Sequence, residues 1–193
     1  ANRKQIVNLN EIVSDSIKQT KTIWKDQANK RGVSIRIQTE FEESIYVNAN
    51  ESDLRNVFFN LIKNSAEAIK KDGEIRILTR KEGKFAFATI IDTGIGMDKH
   101  TKKRIFEPFF STKGFDIGRG LGLTSSYSIV DSLGGKLYLV RSKPNEGTTM
   151  EISLPVADPK KMKQKTPKQK NTKQLRVLWV DDEKPILNFV QKA

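Results

Sequence analysis

Three groups of residues in this sequence combine types and spacings suited to chemistry. The first is FFSTKGFDIGRGLGL, Phe109–Leu123, where Gly114, Gly118, Gly120 and Gly122 fall inside nine residues directly before a helical pattern. Glycine loses more backbone entropy on ordering than any other residue, so four together need a reason. Glycines let backbone amides approach a ligand, and a helix N-terminus adds unpaired N–H donors and positive dipole character. That combination suits an anion, although a plain glycine-rich loop capping a helix has the same form. Neither common phosphate loop is spelled out: Lys113 precedes the glycines, so GxxxxGK[ST] fails, and G-R-G-L-G-L at Gly118–Leu123 is not GxGxxG. The second group is Asn60 and Asn64, which share one helix face beside an apolar stripe. Amides at a core boundary need partners or cost about 1–3 kcal/mol each. Their carbonyl oxygens suit Mg²⁺ or its waters; capping a neighbouring loop is the alternative. The third is Asp92-Thr-Gly94-Ile-Gly96-Met, ending an apolar strand. A buried carboxylate is expensive without a donor. A purine amino group would supply one, with the glycines clearing room for the ring; an ordinary Asp-Thr-Gly turn is the plainer reading.

These groups need a scaffold. The chain has 193 residues, 36% of them hydrophobic, enough for one ordinary domain with some chain left over. With no Cys and one His, disulfides are excluded and structural zinc is disfavoured. The apolar runs FAFATII (Phe85–Ile91) and VLWV (Val177–Val180) are far too short to span a bilayer. No signal peptide is visible, so a cytoplasmic domain without membrane contact is expected. The net charge of +12 raises the question of nucleic acid. Half of it sits in Ala157–Gln174, which holds seven Lys, one Asp and two Pro. That segment reads as a solvated tether, and no aromatic residue is interleaved for base stacking. The expected organisation is a main domain over 1–156, a Lys-rich linker over 157–174 and a tail over 175–193. The start at Ala1 rather than Met and the patterned end at Ala193 read as a piece of a longer protein.

The pattern predicts a helix over 7–32, with Asn8 and Glu11 as a capping box, an Ile12, Ile17, Ile23/Trp24 stripe and Gly32 past its end. SIRIQTEF and SIYVN alternate like short strands. A second helix, ESDLRNVFFNLIKNSAEAIKK, gathers Leu54, Val57, Phe58, Leu61, Ile62, Ala66 and Ile69 on one side. GEIRILTR and FAFATIID read as a hairpin about a KEGK turn, and an irregular, charged region follows. Then come a helix over Leu121–Leu133 and a hairpin of KLYLVRS and GTTMEISLP. Two antiparallel hairpins with amphipathic helices imply an α+β fold, a two-layer sandwich with helices on one face of a mixed, mostly antiparallel sheet.

The order and spacing of the three groups closely resemble the ATP-binding catalytic domain of bacterial sensor histidine kinases, in the superfamily of gyrase, heat-shock chaperone, kinase and mismatch-repair ATPases. The N box is NLIKNSAEAI, the first glycine box DTGIGM, the F box RIFEPFFSTK and the second glycine box GRGLGL. Gly134–Gly135 and EGTTMEISLP close the pattern, which covers nearly all of 8–156.

The resemblance implies a Bergerat fold, the cofactors ATP and Mg²⁺, and a role for each matching residue. Asp92 accepts the adenine amino group within the Gly94–Gly96 box, and Thr148 or Thr149 supports that end. Asn64 is the Mg²⁺ ligand, with Asn60 nearby. Gly118, Gly120, Leu121, Gly122 and Leu123 offer backbone donors to the phosphates. Lys113 reaches the terminal phosphate from the run it shares with Ser111 and Thr112. Phe106, Phe109 and Phe110 anchor the lid by packing. Two positions depart from the family pattern: Arg119 stands where a small residue is common, and Glu67 where some relatives carry a phosphate-binding Lys, a charge that Lys113 would replace.

Hydrolysing members use a Glu four residues before the Mg²⁺-binding Asn. Here that position is Asn60, which cannot accept a proton at neutral pH. The resemblance therefore implies phosphoryl transfer to a histidine on a dimerisation domain outside this chain. His100, a solvated lid residue in MDKHTKKRIF, is not expected to be that acceptor. The tail LRVLWVDDEKPILNFVQ resembles the start of a response-regulator receiver domain, with Asp181 and Asp182 in its Mg²⁺ site. The alternatives are a protein-serine kinase of the anti-sigma-factor type and a non-catalytic ATP-binding module.

Overall fold

The computed structural model describes residues 4–112 and 120–158. The chain divides into the units Ala1–Met162 and Lys163–Ala193, the second lying wholly outside the described residues. Expectations for Lys113, Gly114, Gly118, Arg119, the linker beyond Asp158, and the tail with Asp181 and Asp182 also lie outside them.

The elements are β1 (Gln5–Asn8), α1 (Leu9–Gln19), a π-helical stretch (Thr22–Gln27), α2 (Ala28–Lys30), β2 (Ile35–Phe41), β3 (Tyr46–Ala49), α3 (Glu51–Ala68), β4 (Gly73–Glu82), β5 (Phe85–Asp92), α4 (Lys99–Arg104), α5 (Gly122–Ser132), β6 (Lys136–Ser142) and β7 (Thr148–Pro155). Five strands form one sheet in the order β2-β4-β5-β7-β6, and β1 pairs with β3 in a small second sheet. Among the described strands only β2–β4 is parallel, because a crossover through β3 and α3 separates those strands. The result is the mixed, mostly antiparallel α+β sandwich that the sequence implied.

Alternation fixes which face is buried. Ile75, Ile77, Ala86, Ala88, Ile90, Met150, Ile152 and Leu154 share one core with Leu54, Val57, Phe58, Leu61 and Ile62 of α3. Full burial of a side chain such as Phe58 contributes about 1.5–3 kcal/mol. The Asn50 carboxamide caps α3 by accepting from the Asp53 N–H at 3.1 Å. The opposite sheet face is polar but tightly bonded. Glu151 on β7 accepts from Arg80 of β4 (2.8 Å), Thr89 of β5 (2.6 Å) and Tyr138 of β6 (2.7 Å). Burial pushes the Tyr138 hydroxyl up to about 12, and its bond to Glu151 acts in the same direction.

Three local expectations change. The single helix over 7–32 is broken up: Ile6 and Val7 pair with Asn48 and Val47 before α1 starts, and a π-helical stretch follows Thr20. The Thr20 hydroxyl donates to Ser16 O at 2.8 Å and Trp24 Nε1 to Ile17 O at 3.0 Å, competing with the regular ladder. The first hairpin turns on Gly83 and Lys84 alone, since Lys81 and Glu82 still pair with Ala86 and Phe85. The charged region after Met97 contains α4, capped by the Asp98 carboxylate, which accepts from Thr101 N–H at 2.7 Å.

Candidate nucleotide site

The antiparallel ladder of β5 and β7 sets Asp92 directly opposite Thr148. Asp92 is only 5% exposed, and its Oδ1 accepts the N–H groups of Gly94 at 2.9 Å and Thr148 at 3.2 Å. Burial pushes its carboxyl above the usual carboxylate range, while the Gly94 amide, the Ser65 hydroxyl and the Thr148 amide oppose that rise. Both amides reach Oδ1, and with the Ser65 hydroxyl they make three donors to a carboxylate that has about four acceptor sites, which leaves capacity for one more N–H donor. Thr149 pairs with Ile91 and so belongs to the other face of the sheet. Of the two threonines, the fold brings Thr148 to Asp92 and not Thr149.

The glycines near Asp92 serve the protein's own packing. A Cβ on Gly94 would lie 2.7 Å from Ala68 Cβ, and one on Gly96 would lie 1.8 Å from Lys143 O. Gly147, at φ +78°, has room for no side chain, because its Cβ would sit 1.9 Å from Asp92 O. The first glycine box is thereby strapped between α3 and the β6–β7 loop. Ile95 N–H donates to Ala68 O at 3.0 Å, and Asn145 N–H donates to Ile95 O at 2.7 Å.

At the other end, Asn60 and Asn64 diverge in role. Asn60 Nδ2 donates to Gly122 O and Ser126 Oγ, both at 3.3 Å, tying the start of α5 to α3. The Asn64 side chain is half-buried and makes no hydrogen bond or ion pair among the described residues. An amide oxygen in that state fits a hard cation or its water. No group of three or more His, Cys, Asp or Glu side chains suited to a metal occurs among the described residues. A Mg²⁺ ion held by one amide, phosphate oxygens and waters matches that donor set.

The glycine box beside them is partly described. Gly120 packs against Phe109 and Phe110, Leu121 is exposed, Gly122 opens α5 and Leu123 packs on the core. Ser111 and Thr112 are exposed immediately before residue 113. Phe106 meets Tyr127 in a tilted ring pair with centroids 5.5 Å apart, and Phe110 lies under the Arg104 guanidinium at 4.4 Å. Phe109 departs from the expected anchoring role: it is 76% exposed at φ +64°. His100 lies exposed on α4 with Nε2 3.3 Å from Arg104.

Two contributors escaped the sequence reading. Ser65 carried a usable signal, a hydroxyl on the apolar face of α3 next to Asn64. Gly147 carried none beyond its place in a turn, since its contact with Asp92 spans distant parts of the chain.

With this geometry in place, the comparisons are specific. Residues 49–158 match the family described as histidine kinase-, DNA gyrase B-, and HSP90-like ATPase. The chain belongs to that family, as an ATP-binding catalytic domain of the histidine-kinase kind. Sporulation kinase A of Bacillus subtilis (strain 168) is 34% identical over 152 residues, which is 79% of this chain and 24% of that protein. Sporulation kinase B of the same organism is 35% identical over 144 residues, 74% of this chain and 32% of that one. The autoinducer 2 sensor kinase/phosphatase LuxQ of Vibrio vulnificus (strain YJ016) is 30% identical over 183 residues, 87% of this chain and 21% of that protein. The chain thus spans between a fifth and a third of the length of these relatives. Among solved structures, a nucleotide-free form of the catalytic domain of histidine kinase ThkA superposes with a TM-score of 0.65 at 25% identity, covering 79% of this chain and 95% of that one. The mycobacterial sensor histidine kinase MprB shares the fold at 22% identity, with a TM-score of 0.66 and coverage of 79% and 97%.

Proposed function

We propose that this domain binds Mg²⁺-ATP and transfers the γ-phosphoryl group to a histidine on a dimerisation domain of the same protein, in two-component signalling. The observation that carries the reading is the presence of two complementary groups, a buried carboxylate and an amide side chain without a partner among the described residues. Asp92 has acceptor capacity left for an amino donor, and Asn64 carries the half-buried amide. Asp92 orients the base, Asn64 holds the cation, and the start of α5 turns its free N–H groups toward phosphate. Mg²⁺ supplies charge neutralisation at the phosphates. Lys113 and Gly118 add to that end, with Ser111 and Thr112 beside them. Transfer is favoured over hydrolysis because Asn60 spends its amide on Gly122 and Ser126 and offers no base for water. A Lys-rich linker over 157–174 and the start of a receiver domain over 175–193, both read from the sequence, complete the reading.

The test is calorimetric titration of ATP with and without Mg²⁺. Asp92→Ala should weaken binding about ten- to a hundredfold. Asn64→Ala should abolish the Mg²⁺ dependence while sparing metal-free binding. A wild-type chain that binds no ATP would sink the proposal. Binding without transfer to a supplied dimerisation domain would favour a regulatory module, and transfer to serine would favour a protein-serine kinase.

A further inference from the structure

The β6–β7 ladder carries one irregularity, and it lies beside the candidate site. Leu137 pairs with Ile152 and Leu139 with Met150, a register that continued unbroken would set Arg141 opposite Thr148. A bulge between Leu139 and Arg141 shifts the strand by one residue, so Ser142 meets Thr148 instead. Ser142 is 3% exposed. Its hydroxyl donates to Gly147 O at 3.2 Å and lies 3.0 Å from Thr148 Oγ1; with its one proton spent on Gly147, Ser142 accepts from the Thr148 hydroxyl. Its own carbonyl accepts from Lys102 Nζ of α4 at 3.1 Å.

Thr148 therefore stands between two strands. Its N–H donates to Asp92 on β5, while its hydroxyl is turned to Ser142 on β6. Directly opposed residues in an antiparallel pair have Cβ atoms about 4.5–5.5 Å apart, so a rotated Thr148 hydroxyl would reach the Asp92 carboxylate. It would then fill, from within the protein, the acceptor that a ligand's amino group needs.

We propose that Ser142 is a positioning residue for nucleotide recognition: it holds the Thr148 hydroxyl on the β6 side and so keeps the Asp92 carboxylate open to an amino donor. This rests on the adenine reading of the Asp92 pocket. The groups acting on Asp92 are the Gly94 amide, the Ser65 hydroxyl and the Thr148 amide, none of them charged, and Lys102 is the charged side chain bonded to Ser142.

The experiment measures ATP affinity between pH 5 and 8 for the wild-type chain, Ser142→Ala, Thr148→Val and the double variant. Ser142→Ala should weaken ATP binding about fivefold near pH 7.5. It should also move the acid limb of the binding profile to lower pH, because a carboxylate with one more O–H donor is harder to protonate. With Val at 148, adding Ser142→Ala should change neither quantity. An equal loss in both backgrounds, or an unmoved acid limb, would leave Ser142 a purely structural role and overturn the proposal. Failure of the wild-type chain to bind ATP would overturn the adenine reading instead. Should Ser142→Ala fail to fold, Ser142→Cys keeps the shape with a slightly larger atom, offers only a weak partner, and carries the same comparison.

Discussion

Asp92 is the residue at which stability and function pull apart. Burial raises its native carboxyl above the unfolded value, so ionisation is penalised in the folded chain at neutral pH, and the penalty lifts as pH falls through the raised value. Asp92→Asn removes the charge but keeps an acceptor for Gly94 and Thr148. We expect the variant to resist urea at least as well as wild type at pH 7.5, with the difference shrinking on acidification, while its ATP affinity is weakened, by no more than in Asp92→Ala. A variant less stable at neutral pH, with a gap that does not change with pH, would contradict this. Asp92, Asn60 and Asn64 could be read from the sequence because each sits at a marked position in a periodic pattern. Ser65 and Ser142 could not: an ordinary serine shows its partner only when strands or helices far apart in sequence meet.

Among the elements, those with uninterrupted periodicity, α3 and the two hairpins, matched the sequence pattern closely. Those settled by side-chain competition or distant pairing did not. The π-helical stretch follows from Thr20 and Trp24 bonding back to carbonyls, and β1 exists only because β3 lies beside it. The same reasoning separates two glycines of one motif. Gly120 sits at φ +64° with a built Cβ 2.4 Å from Phe109 C, whereas a Cβ on Gly122, at the start of α5, would make ordinary contact with Asn60 at 3.6 Å. Gly120→Ala should cost about 1 kcal/mol or more. Gly122→Ala should be neutral or stabilise by up to about 1 kcal/mol through helix propensity. Urea midpoints of both variants check this, and equal losses would refute it.

For the molecule as a whole, the sheet order β2-β4-β5-β7-β6 has a kinetic consequence. The hairpins β4–β5 and β6–β7 close over short turns, but β5–β7 brings Asp92 to Thr148 across 56 residues. That closure carries the larger loop entropy, and the Asp92 end of the proposed site forms only when it is complete. A ligand that needs both strands then stabilises the native state and leaves the preceding barrier untouched. Stopped-flow chevrons with and without saturating ATP should share one refolding limb and differ in the unfolding limb alone. ATP would act as a brake on leaving the folded state and give no help in reaching it; a refolding rate that rose with ATP would mean that the two hairpins had already met at the barrier.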